Sequence, residues 1–132
     1  MAVFTYATDQ VVTVNNPVLF NYSENCGCAV THRDGSGLFT LHGGKRYSLE
    51  FAANLAANTA NDELALAFSI NGESIPGTRM ISTPPAADIL NTVSRCIKIK
   101  VPCGCCYNVA IKNIGEVPIQ VEDAYLSIIK ED

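Results

Sequence analysis

Apolar and polar side chains alternate with a period of two in several stretches of the chain. That is the pattern of strands that bury one face. Tyr47, Leu49 and Phe51 fall on one side of the clearest run, and Arg46, Ser48 and Glu50 on the other. Just before it, Phe39 and Leu41 alternate with Leu38 and Thr40, and Gly43-Gly44 separates the two runs. The period returns with Ile97, Ile99 and Val101 against Lys98 and Lys100, and with Tyr107, Val109 and Ile111 against Asn108 and Lys112. Near the end, Ala124, Leu126 and Ile128 alternate with Tyr125, Ser127 and Ile129, so both faces carry apolar groups. A strand that is apolar on both sides is central in a packed sandwich or covered by another subunit.

Turn signals punctuate these runs at short intervals: Asn15-Asn16-Pro17, Asp34-Gly35-Ser36-Gly37, Asn71-Gly72, Pro76-Gly77, Pro84-Pro85 and Pro102-Cys103-Gly104. The spacing predicts strands at 11–14, 18–22, 29–32, 38–41, 46–55, 64–70, 73–75, 92–101, 106–113 and 119–129. Many short strands with regular turns predict an all-β sandwich or barrel. Asn71-Gly72 predicts a hairpin with a type I′ turn, because both residues tolerate the positive φ that turn needs. The alanine-rich stretch 52–67 suits a helix by propensity. Asn58, Thr59, Asn61 and Asp62 interrupt it, and 58–62 is predicted to be a loop between strands. At 132 residues, a single domain over 1–132 is expected.

Hydrophobic residues make up 48% of the chain and charged residues 17%. So few charges imply a surface of small polar groups, partly covered in an oligomer. The net charge is −4, and the nine basic residues are scattered. Arg95, Lys98 and Lys100 form the one close group and read as a solvated strand face, so nucleic acid is not an expected partner. No apolar run approaches the roughly 20 residues of a membrane-spanning helix, and no membrane partner is expected. Arg33 is the first basic residue, so the start lacks the charged region of a signal peptide. Synthesis in the cytoplasm without general export is the expectation.

No catalytic constellation is legible, and neither an enzyme nor a cofactor is expected. No Ser or Cys lies in a nucleophile motif, and Gly35-Ser36-Gly37 lacks the lysine and helix of a phosphate loop. His32-Arg33-Asp34 reads as a turn whose Asp caps its own backbone, and His42 as an exposed turn residue. Six cysteines remain. Cys26 and Cys28 form one group, Cys103, Cys105 and Cys106 another, and Cys96 stands alone. Four states are open: disulfides, free thiols packed as small apolar groups, a Zn(Cys)₄ site of Cys26, Cys28, Cys103 and Cys106, and a redox pair at Cys103 and Cys106. The redox pair normally opens a helix, whereas here a strand is predicted to follow.

Gly37, Phe39 and Thr40, then Gly44, Tyr47, Leu49 and Phe51, resemble the Gly-x-Phe-Thr strand, glycine turn and aromatic strand of the C1q/TNF-like jelly roll. Leu64–Glu73 with its Asn-Gly-Glu, the paired runs 93–101 and 107–113, and the last apolar strand follow in that family's order. The chain departs from the eukaryotic members in lacking a collagen stalk and any Trp. Cys26-Gly27-Cys28, His32–Gly37 and Gly104-Cys105-Cys106 resemble small structural proteins from the head-gene region of tailed phages and prophages of Firmicutes. The resemblance implies a β-sandwich of about ten short antiparallel strands and a trimeric virion component. The expected role is that of a homotrimer decorating the capsid surface, with itself and the major capsid protein as partners. Residues 1–16 are then a candidate capsid-contacting arm. Tyr107, Val109, Ile111, Tyr125, Ser127 and Ile129 are the candidate trimer-interface residues. A receptor-binding or adhesin tip of a tail fibre, or of a bacterial or spore surface, is the alternative.

Overall fold

In the computed structural model, residues 2–6, 9–26, 30–32 and 35–131 are described, the side chains of 2–6 and 22–26 excepted. Every regular element among them is a strand: β1 (Ala2–Tyr6), β2 (Gln10–Val12), β3 (Tyr22–Cys26), β4 (Val30–His32), β5 (Phe39–His42), β6 (Lys45–Ala56), β7 (Leu64–Ile70), β8 (Glu73–Ser74), β9 (Met80–Ser82), β10 (Asn91–Val101), β11 (Cys106–Asn113) and β12 (Ile119–Glu131). They form two antiparallel sheets. The first runs β10-β6-β12-β1-β3, with β2 pairing the start of β12. The second runs β4-β5-β11-β7-β8, with β9 on β7.

The core lies between the sheets. Tyr47, Leu49 and Phe51 of β6 and Leu126 and Ile128 of β12 meet Phe39 and Leu41 of β5, Val109 and Ile111 of β11, and Leu66 and Phe68 of β7. Phe20 sits edge-on to Phe39 and Phe51, with centroids 5.5 and 6.4 Å away. Such edge-to-face pairs contribute about 0.5–1.5 kcal/mol each beyond the area they bury. The exposed area of 6699 Å² matches the roughly 6,700 Å² expected of a folded monomer of this size.

The two runs around Gly43-Gly44 do not form a hairpin. β5 belongs to the second sheet and β6 to the first, so the turn carries the chain across the sandwich. That is why both runs are apolar on one side only: their apolar sides face each other. The Tyr47 hydroxyl donates to the His42 carbonyl at 2.8 Å and ties the crossing to the core. Burial raises the Tyr47 phenol above its usual range, outweighing the opposing effect of that hydrogen bond.

Several predicted elements shift. The segment 18–22 is extended, and Val18 and Phe20 are buried, but β3 begins only at Tyr22. Its backbone is paired instead through Val18 N to Ile111 O (2.8 Å), Phe20 N to Ser36 O (3.2 Å), and the Gln10 side-chain amide, which bonds both the Leu19 N–H and carbonyl. A side chain takes the place of a neighbouring strand there. The alanine-rich stretch is strand β6, a loop with Asn61 at φ 65°, and strand β7, as the asparagines indicate. The Asn71-Gly72 hairpin forms, with φ values of 53° and 90°.

Residues 2–6 and 10–12 of the segment expected to form an arm are strands of the first sheet. Ala2–Tyr6 is paired on both sides, with β12 and β3, and Gln10–Val12 pairs with β12. Backbone donors and acceptors inside a sheet are already satisfied, so these residues belong to the body of the sandwich.

Candidate interaction face and the cysteine-bearing turns

The pleat of β11 places Tyr107, Val109 and Ile111 on the inner side of the second sheet. Val109 and Ile111 are fully buried in the core, and Tyr107 packs against its edge. Val109 and Ile111 are therefore core residues and not interface residues, and Tyr107 is half-buried at the rim of the core. Asn108 and Lys112 occupy the outer side, as the alternation requires.

β12 behaves differently. Ile119 and Val121 point inward, and so do Ala124, Leu126 and Ile128, although the two groups differ in parity. A bulge between Glu122 and Tyr125, with Asp123 at φ 54°, inserts the residue that switches parity. Tyr125, Ser127 and Ile129 are thereby held on the outward side of the first sheet, and Ile129 is 44% exposed. The register sets them opposite Ala52, Glu50 and Ser48 of β6, and opposite Tyr6, Phe4 and Ala2 of β1. Among the described side chains, Tyr125 and Ile129 thus lie outward beside Ala52 and Ser48, with the exposed Glu50 next to the buried Ser127.

Charges ring one end of that face. The Lys98 ammonium pairs with Glu131 at 3.3 Å, and the Ser48 hydroxyl donates to the same carboxylate. These bonds, the Ser48 one foremost, lower the Glu131 pKa below its ordinary value of 4.5. A lowered folded-state pKa stabilises the fold above the unfolded value, and that contribution is lost as the pH falls through the folded one. The difference in thermal midpoint between the native chain and E131Q is therefore expected near neutral pH and should close below pH 4.5. A gap that widens in acid would refute this. Arg95 does not join Lys98 and Lys100. The pleat sends it to the other side, where it donates to the Arg79 carbonyl at 2.8 Å.

Of the Zn candidates, Cys28 lies outside the described residues, as do Arg33 and Asp34. Cys26 lies on β3 of the first sheet, Cys103 in the turn after β10, and Cys106 opens β11 of the second sheet. Among the described residues no three His, Cys, Asp or Glu side chains are grouped as a metal site. Cys96, Cys103, Cys105 and Cys106 are free, exposed thiols. His32 bonds the Ser36 carbonyl through Nε2 at 2.8 Å and stacks on Phe39 at 4.2 Å, which gives it a structural role.

His42 is half-buried at the end of β5 rather than an exposed turn residue, and its Nδ1 lies 3.5 Å from the Cys106 Sγ. The β5–β6 crossing packs against the β10–β11 crossing. Gly44 N donates to the Val101 carbonyl at 2.9 Å, and Cys105 N closes the second turn on the Pro102 carbonyl at 3.2 Å. Sequence reasoning missed this pairing because His42 and Cys106 are 64 positions apart.

No family model and no curated protein matches the chain. Solved structures do. The globular domain of zebrafish complement 1qA protein is similar with a TM-score of 0.69 at 15% identity, over 97% of this chain and 94% of that one. Eiger TNF from S. frugiperda is similar at 0.72 and 12% identity, over 100% and 92%. Murine APRIL is similar at 0.62 and 12% identity, over 98% of each. The chain has the C1q/TNF-like jelly-roll fold.

Proposed function

We propose that the protein is a homotrimeric decoration protein of a phage head, bound to the major capsid protein on the capsid surface and made in the bacterial host cytoplasm. It acts by binding and not by catalysis. The observation that carries the trimer is the outward face of the first sheet, where Tyr125, Ser127 and Ile129 sit at the centre of a sheet whose other face already closes the core. The phage head rests on the resemblance of the cysteine and His32–Gly37 motifs. Three subunits engaging three lattice points add weak contacts into firm attachment.

Light scattering after size exclusion at micromolar concentration is expected to give a trimer. Burying an isoleucine contributes about 1.5–3 kcal/mol, so the double variant Tyr125→Glu, Ile129→Lys is expected to run as a folded monomer. A native chain that stays monomeric would overturn the trimer. Many copies per purified virion support decoration; a few copies, confined to the tail, would favour the receptor-binding tip.

A further inference from the structure

We propose that Cys106 is a nucleophilic thiol that exchanges with low-molecular-weight disulfides, with His42 as its proton acceptor and Cys103 as the resolving thiol. Cys106 and His42 are register partners on β11 and β5, so their side chains leave the sheet side by side. That brings Sγ within 3.5 Å of Nδ1. Imidazole at this range accepts a thiol proton as the sulfur attacks. Exchange sites commonly use a helix N-terminus to favour the thiolate. Here the neighbouring crossing supplies a base instead.

The second thiol is directed at the same place. The Cys103 Sγ lies 3.4 Å from the point where a Cβ on Gly44 would stand. Cys103 and Cys106 therefore converge on the stretch 42–44 from the two ends of one tight turn. That turn is fixed by Gly104 at φ 77° and by the close seat of Gly43 beneath it. Both thiols are exposed.

The chemistry balances in two exchanges. The Cys106 sulfur attacks one sulfur of an external disulfide, and its proton passes to His42 Nδ1. The external sulfur–sulfur bond breaks, and the departing thiolate takes that proton and leaves as a thiol. The Cys103 sulfur then attacks the Cys106 sulfur of the mixed disulfide, and the second external thiol leaves with the Cys103 proton. The two cysteines are oxidised to one intramolecular disulfide, and one external disulfide is reduced to two thiols.

Oxidised glutathione added to the reduced full-length protein, with peptide mass spectrometry over time, tests this. An adduct is expected first at Cys106 and then replaced by a Cys103–Cys106 disulfide. Cys96, exposed but without an imidazole contact among the described residues, is the internal control and is expected to react more slowly. H42Q is expected to slow the Cys106 adduct about tenfold or more, leaving the Cys96 rate unchanged. C103S is expected to leave the adduct on Cys106. Equal rates at Cys96, Cys105 and Cys106 in the native chain would overturn the proposal even if H42Q failed to fold. An adduct that persists on Cys106 in the native chain would overturn the role of Cys103.

Discussion

Asn113→Leu is expected to destabilise the protein by about 3–5 kcal/mol, since each buried polar group left unpaired costs roughly 1–3 kcal/mol. Asn113 is fully buried at the end of β11. Its Nδ2 donates to the Val12 and Val117 carbonyls, each at 3.0 Å, and its Oδ1 accepts from Gly115 N at 3.0 Å. One amide thus holds the end of β2 and the loop between β11 and β12. Leucine has nearly the same shape and none of these bonds, so the effect is electrostatic rather than steric. The Asn113 backbone also pairs with Asn15 and Asn16, each at 3.0 Å, which ties the end of β11 to the segment that follows β2. Thermal unfolding at fixed protein concentration should show a fall of roughly 10–20 °C. A change below about 1 kcal/mol, the range of an ordinary substitution, would mean that water replaces the amide without loss.

Gly43→Ala is expected to be about as damaging, for a different reason. An added Cβ would stand 2.4 Å from the carbonyl oxygens of both Pro102 and Cys105. Both obstacles are backbone, so the two crossings must separate for the methyl group to fit. Overpacking of this kind costs about 1–3 kcal/mol and sometimes more. Separation would also break the Gly44 to Val101 bond and move His42 from Cys106. Gly44→Ala is the comparison. Gly44 has φ 78°, and its added Cβ would meet only the Cys103 Sγ, at 3.4 Å. The backbone strain there costs about 1–2 kcal/mol. Denaturant unfolding should therefore rank Gly43→Ala as the more destabilising of the two, and the opposite order would overturn the steric account.

These two glycines show what was legible in the chain and what was not. Side by side they read as a turn, and a turn is what they form. Only Gly44 is there for its backbone angle; Gly43 is there for space, and the atoms that take that space arrive from residues 102–105. The alternation at 106–113 was legible in the same partial way. It identified the strand and its apolar side, and it assigned that side to a subunit interface. Core and interface are both dry apolar surfaces, and period-two spacing does not distinguish them. β12 shows the opposite outcome. Its two-sided apolar pattern sends Ala124, Leu126 and Ile128 into the core and leaves Tyr125 and Ile129 outward, and the bulge at Asp123 keeps Ile119 and Val121 on the inner side as well.

By itself the sequence determined local matters: strands rather than helices, the Asn71-Gly72 hairpin, the loop at 58–62, and the apolar side of each long strand. These follow from side-chain period and turn chemistry, which act between residues a few positions apart. Tertiary structure alone decided that β5 and β6 enter different sheets, that Ala2–Tyr6 is a paired strand, that Tyr107, Val109 and Ile111 face the core, and that His42 meets Cys106. Each depends on which distant segment supplies the partner backbone or the opposing surface. That choice minimises unpaired polar groups and empty space over the whole chain at once, and no short window of residues contains it.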